Sequence, residues 1–494
     1  MRHLPAIVKI FALVVIVTLI NSDCTWVQKK KDKNEKTTIA ILPFVDLNKD
    51  STTRYLGDGI TENILATLSK FKDVKVSAEG SAFSFKNKQD NIQGISKALG
   101  VNNILEGTYK LQGNLINIAV QLIDAVTGAR LWSDNYSENI DNIIALQDKI
   151  VAEVEKNLEI TLPDNDENNE AKKHSVSNEA YQLYLKGRLS LSILTFDELK
   201  KGIDFFNQAI AIDSNYAAAY AGIADCYNAM GYQSLVPPKD AYPKAAEIAT
   251  KAIKMDSTLA EPHATLGYVK FYYLWDWASA EQEFRTAIAL NPNYALAYGW
   301  YGYYLTSMER FDEAEVVLKK AAELDPVSPK VYIDMGFSYY YAHNYDSAVK
   351  KLQLALKINT KNPLTYVWLG RCYQARKMYP EAIAEFKTML ANSPNNPILM
   401  AQIGNVYGMS GDKVNCQKVL DSMIALSPKK FVSAYGMALV YAGLNDKENV
   451  FLWLNKAYEE HANWMVWLKG DPRWIPFESD ERYKELVNKV GLPQ

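Results

Sequence analysis

Residues 330–362 read KVYIDMGFSYYYAHNYDSAVKKLQLALKINTKN. Apolar side chains recur there at three- and four-residue steps on either side of a short polar turn, which predicts two amphipathic helices. The first carries Gly336 and Tyr339, the second Ala348, Leu352 and Ala355. The same pattern returns every 34 residues. Gly302, Gly336, Gly370 and Gly404 form one ladder, continued by Ala438. Ala314, Ala348, Ala382, Cys416 and Val450 form a second, and Ala321, Ala355, Met389, Met423 and Ala457 a third. Pro326, Pro394 and Pro428 close three of the units. Small residues at fixed places let the helices of a unit, and the next unit's first helix, approach closely. Tyr, Phe and Leu fill the gaps between them.

Upstream the period is different. Residues 38–45 (TIAILPFV) form a short apolar run that suits a buried strand ending near Pro43. Asp58-Gly59 opens a helix, with Asp58 as its expected N-cap and Ile60, Ile64, Leu65, Leu68 and Phe71 as its apolar stripe. Residues 74–78 alternate as a strand, and Ile92, Ile95 and Leu99 mark a second helix ended by Gly100. Residues 103–111 and 115–125 pair as a hairpin about Gln112-Gly113-Asn114. Thr127-Gly128 turns the chain toward Leu131-Trp132, and Ile140 to Val154 carry a last helical stripe. The order β-α-β-α-β-β-α predicts an α/β domain with a mixed sheet.

A 34-residue helix–turn–helix period resembles the tetratricopeptide (TPR) repeat, and residues 178–466 read as about eight units. The fold class expected is therefore an α/β N-terminal domain followed by an all-α TPR superhelix, an α-α solenoid. The second unit has an insertion at residues 235–242 with Pro237-Pro238, and the third has one extra residue near Trp275. Residues 467–494 read as a turn through Asp471-Pro472-Arg473-Trp474 and a capping helix that covers the last unit's apolar face. Residues 37–161 resemble the bacterial TolB-N-terminal-like (FlgO-like) domain. The resemblance is carried by Ile39-Ala40-Ile41-Leu42-Pro43-Phe44, Asp58-Gly59-Ile60-Thr61-Glu62, Leu105-Glu106-Gly107, Gln121-Leu122-Ile123-Asp124-Ala125, Gly128, Leu131-Trp132-Ser133 and Leu146-Gln147. In that group the domain often sits between an upstream signalling module (winged-helix, adenylate cyclase or kinase) and a TPR array. Only 36 residues precede the first strand, so the activity of such a module is not expected here.

Residues 1–36 begin with Arg2, His3 and Lys9 around an apolar run. Counted over residues 4–20, with Lys9 snorkelling, it is just long enough for an anchor, about 20 residues being the usual span. The expectation is a single-pass bacterial inner-membrane protein with a periplasmic soluble part. A cleaved signal, or a lipoprotein at Cys24, is the alternative, and Lys29, Lys30, Lys31 and Lys33 argue for the opposite orientation. Residues 162–177 (LPDNDENNEAKKHSVS) read as a polar linker.

A net charge of −3 over 494 residues gives no bulk electrostatic case for nucleic acid. The four cysteines show no C-x-x-C, and Cys226, Cys372 and Cys416 fall on apolar faces as core filling. None of the five histidines has metal-ligand spacing, and neither G-x-S-x-G nor a P-loop is present. Glu62 takes the place of the third glycine of a phosphate-cradling G-x-G-x-x-G after Gly57 and Gly59. No catalytic residue, metal or cofactor is expected, and the chain reads as a non-enzyme. In a TPR superhelix the first helices of successive units line a concave groove. Positions just past the glycine rung place Tyr268, Phe271, Tyr272, Tyr303, Phe337, Tyr340, Tyr341, Arg371, Gln374 and Asn405 near it. Aromatic and polar groups there suit a protein or peptide partner; for each tyrosine the alternative is packing between helices. A carboxylate clamp of Lys, Asn and Arg is not evident. The function expected is a membrane-associated scaffold binding a protein or peptide, the alternative an envelope ligand sensor using the α/β domain.

Overall fold

The computed structural model describes residues 36–48, 53–86, 91–160 and 176–493. The N-terminal domain contains β1 (Thr37–Ile41), β2 (Val45–Asp46), α1 (Arg54–Ser69), β3 (Val74–Val76), α2 (Glu79–Phe83) and α3 (Ile92–Leu99). β4 (Asn103–Gln112), β5 (Leu115–Asp124), β6 (Arg130–Asn139) and α4 (Ile143–Leu158) follow. The sheet order is β3-β1-β4-β5-β6, with β2 pairing β4 beside this path. β1 runs parallel to β3 and β4, and β5 antiparallel to β4 and β6, so the sheet is mixed. The two-residue period of β1 divides its side chains between two cores. Ile39 and Ile41 pack with Ile60, Ile64 and Leu68 of α1 and Ile143 and Ile150 of α4. Ala40 and Leu42 face Ile95 and Leu99 of α3.

Two local expectations are corrected. Asp58 does not cap α1, which begins at Arg54; it lies one turn inside, buried, and pairs with Lys86. The flanking glycines serve packing instead. A Cβ on Gly57 would stand 2.5 Å from the Tyr109 ring, and one on Gly59 would stand 2.4 Å from Leu185. The chain around Leu131-Trp132 is a full strand, β6, paired along β5.

Eight helix pairs follow: α5 (Asn178–Ile193) with α6 (Phe196–Ile212), α7 (Ala217–Tyr232) with α8 (Pro238–Met255), α9 (Ala260–Val269) with α10 (Trp277–Leu290), and α11 (Ala295–Ser307) with α12 (Phe311–Leu324). Then come α13 (Pro329–Tyr341) with α14 (Tyr345–Ile358), α15 (Pro363–Ala375) with α16 (Tyr379–Asn392), α17 (Pro397–Met409) with α18 (Lys413–Leu426), and α19 (Ala434–Leu444) with α20 (Lys447–Glu459). The glycine ladder marks close approach. A Cβ on Gly302, Gly336 or Gly370 would come within 2.5, 2.8 and 2.8 Å of Leu318, Leu352 and Phe386. The extra residue of the third unit is absorbed by a π-helical turn at Lys270–Leu274 after α9. Short 3₁₀ turns at Asn463–Trp467 and Pro472–Phe477 lead to a final helix, α21 (Glu481–Val490). Trp474, Phe477, Tyr483 and Leu486 share a core with Tyr435 of α19 and Phe451 and Leu454 of α20.

The sheet domain is docked on the array. Tyr181 and Leu185 of α5 belong to the sheet's own core. Asn293, in the turn before α11, donates through Nδ2 to the carbonyls of Ser69 (2.9 Å) and Val74 (3.0 Å) and accepts from Val76 N at 3.1 Å. Ala78 N donates to Leu324 O (2.8 Å), and Val327 N to Ser81 Oγ (3.0 Å).

The single-pass inner-membrane placement is corrected as well. Among the described residues no helix is long and apolar enough to cross a membrane. The repeat helices are short, 10 to 18 residues, and most second helices carry a charged outer face. Residues 4–20, on which that expectation rested, lie outside the described residues, as does most of the 162–177 linker.

Candidate functional site: the inner face of the repeats

The first helices of units three to six present a run of aromatic side chains, followed by polar Gln402 and Asn405 in unit seven and Tyr435 in unit eight, and the chain's own residues 461–477 lie on this face. The Trp467 ring sits 4.5 Å from Tyr341 and 4.6 Å from Phe337, centroid to centroid, and 6.0 and 6.3 Å from Phe271 and Tyr272. Edge-to-face and tilted contacts at such spacings are the favoured aromatic geometries. Tyr268 stacks on Tyr272 at 4.3 Å, and Phe337 meets Tyr303 at 4.7 Å and Trp368 at 4.6 Å. Trp464 and Trp368 flank the Arg371 guanidinium, whose carbon lies 5.0 and 4.5 Å from their centroids.

Polar side chains join neighbouring first helices at a spacing of 31 residues. Tyr303 donates to Asp334, Arg371 Nε to Gln402 Oε1 (3.2 Å) and Gln374 Nε2 to Asn405 Oδ1, while Asn405 Nδ2 continues to Leu439 O at 2.7 Å. A fixed spacing follows from the repeat: a residue one turn earlier in the next unit faces it. The returning segment uses this polar spine. Arg473 Nη1 donates to Gln402 Oε1 (2.7 Å), Asn463 Nδ2 to Gly231 O (3.0 Å), and His461 Nδ1 to Tyr273 O (2.6 Å). Asp471, fully buried, receives Arg473 Nε at 2.8 and 3.1 Å, the Arg473 backbone N at 3.1 Å, and Arg371 Nη2 only at 3.5 Å. Burial pushes its carboxyl up to about 6, against the pull of Arg371.

Of the ten residues expected in the groove, nine are buried and Tyr303 is half-buried. The structure brings Phe271, Tyr272, Phe337 and Tyr341 together around Trp467, and sets Tyr340 and Arg371 beside Asp471. Gln374 and Asn405 bond each other rather than the returning segment, and Tyr268 is one layer removed. Trp464, Trp467, Asp471, Arg473 and Gln402 were not anticipated. Three tryptophans within residues 464–474 were the available signal, since a capping turn alone does not need them.

Residues 270–329 and 339–403 match tetratricopeptide-repeat family models. The chain carries tetratricopeptide repeats. It is 32% identical over 238 residues to "Putative adenylate cyclase 3" of Rhizobium meliloti (strain 1021), covering 47% of this chain and 40% of that protein. The chain thus spans less than half the length of this curated relative. Among solved structures it is similar to Cut9–Hcn1 of an APC/C hetero-tetramer (16% identity, TM-score 0.42, covering 62% of this chain and 56% of that one). It is also similar to YrrB, described as a TPR protein with an unusual peptide-binding site (23%, TM-score 0.27, covering 41% and 96%). TPR repeats of this kind point to a protein-interaction scaffold.

Proposed function

We propose that this chain is a non-catalytic scaffold that binds a protein or peptide partner on the inner face of its repeats. Phe271, Tyr272, Phe337, Tyr340, Tyr341 and Arg371 form the wall, Tyr268, Tyr303, Gln374 and Asn405 support it, and residues 461–477 are its resident occupant. One observation carries the reading: the inner face already holds a segment of two short 3₁₀ turns that seats Trp464 and Trp467 among its aromatic rings and sets Asp471 against Arg371. The chemistry of the occupant defines that of a partner: tryptophans three residues apart, as Trp464 and Trp467 are, followed by an acidic side chain. We assign residues 37–161 to the TolB-N-terminal-like type, as a module that stiffens the first units.

The test is a labelled peptide of residues 461–477 added to the full chain and to a Trp464→Ala/Trp467→Ala variant whose helicity matches the parent. The variant is expected to bind the peptide, with the parent and a scrambled peptide giving no signal. No binding to a folded variant would remove the reading. The name of the Rhizobium relative raises a second reading, nucleotide cyclisation. Purified chain incubated with ATP and Mg²⁺ is expected to form no cyclic AMP.

A further inference from the structure

A cavity of about 130 Å³ lies at the end of the inner face, between the 233–235 turn, the start of α17, α19 and Trp464. Arg371, Gln402 and Tyr435 line it on one side, and Ile398, Ala401 and Leu439 on another. The charges beside it do not balance. Arg371 and Arg473 are 1% and 3% exposed, and Asp471 is the acid buried with them. Asp471 is committed to Arg473, which grips both carboxylate oxygens, leaving Arg371 a single 3.5 Å contact. Gln402 Oε1, the other acceptor for Arg371, is shared with Arg473 at a shorter distance. Among the described residues neither Arg371 Nη1 nor Tyr341 Oη has a hydrogen-bond partner of ordinary length; the two groups lie near each other, both with bonding capacity left over. Trp368 and Trp464 cover the faces of the guanidinium but offer nothing to its N–H edges. A guanidinium cannot shed its proton to escape burial, and a second anion on its under-used edge would offset the charge that the distant Asp471 only partly balances.

We propose that this cavity binds a carboxylate carried on a short apolar group, the carboxylate pairing with the free edge of Arg371 and the apolar part lying against Ile398, Ala401 and Leu439. The planar N–H fork matches a carboxylate edge to edge. One buried positive charge in excess calls for a monoanion, and the apolar wall excludes a fully hydrated one. Exposed Lys430 at the lining draws anions toward the entrance. The cavity exists with residues 461–477 seated, so this inference stands or falls separately from the peptide reading above.

The carboxylate has two sources, a free branched-chain acid or the C-terminus of a peptide. The full chain is titrated at constant ionic strength with 4-methylpentanoate, with acetyl-Ala-Leu, and with the amides of both. Tryptophan fluorescence and the thermal midpoint are followed. At least one acid is expected to bind roughly tenfold or more tightly than its amide, the usual effect of one charge-assisted pair. Which acid binds identifies the source. Ile398→Trp, which fills the cavity and leaves Arg371 intact, is expected to abolish binding. Arg371→Lys, if its helicity is that of the parent, is expected to weaken it roughly tenfold by removing the fork. If acids and amides behave alike, if neither acid binds, or if Ile398→Trp binds as the parent does, the proposal is overturned.

Discussion

At the scale of single residues, the small-residue ladders were legible because they answer to one requirement, close approach of two helices, wherever they occur. The chemistry of the inner face was harder to read. Tyr340 and Tyr341 look alike in sequence as groove or core residues; what decides between the two is a segment more than a hundred residues away. Trp467 makes the difference measurable. It is 2% exposed and touches four aromatic rings from two units. Removing a buried aromatic of this kind costs about 3–5 kcal/mol. Trp467→Ala is therefore expected to lower urea-unfolding stability by that amount. Val316→Ala, at a site 68% exposed, is expected to stay within about 0.5 kcal/mol. Equal effects of the two would mean that the returning segment contributes nothing to the fold.

At the scale of elements, long amphipathic helices declared themselves by their period, and β6 did not. Its sequence, RLWSDNYSEN, is mostly exposed and polar, so no alternation of buried positions marks it; pairing along β5 makes it a strand. The turns inside the repeats hide a second regularity. Trp275, Glu309, His343, Lys377, Gly411 and Asn445, each 34 residues apart, all have positive φ, between 55° and 88°. Gly411 favours this conformation and Asn445 and His343 tolerate it, whereas Trp275, Glu309 and Lys377 are residue types that rarely adopt it. The turn is imposed by the packing of the two helices it joins, and these last residues bear the strain. Exposed Lys377, at φ 60°, is a clear case. Lys377→Gly is expected to raise stability by about 1 kcal/mol, and Gly411→Ala to lower it by about as much. Chemical denaturation of the two variants checks both signs, and a loss on Lys377→Gly would show that its side chain stabilises the turn in some other way.

At the scale of the whole molecule, the sequence divides into an α/β part and a repeat part, but nothing in either pattern says that they dock. The joint depends on single side chains such as Asn293 and on a cluster of charges that no periodicity flags. In that cluster Arg188 of α5 lies 3.2 Å from Glu62 of α1 and 3.9 Å from Glu79 of α2. Burial, then the Glu62 carboxylate, push the Glu79 carboxyl up to about 8; Asp58 and Asp325 add to this and Arg188 opposes it. A carboxyl held above its unfolded value keeps a proton in the folded chain that the unfolded chain releases. Its contribution to stability is present in full below about 4.5 and is lost as pH rises through about 8. Asp225, pushed up to about 7 by burial, adds a loss of the same sign. The Glu79 side chain is still 39% exposed, so water softens the effect without reversing it. The midpoint of unfolding is therefore expected to fall between pH 5 and 8.5, and Glu79→Gln, which cannot titrate, is expected to show a shallower fall over the same range. Equal slopes for parent and variant would mean that the docked interface does not hold a proton at Glu79.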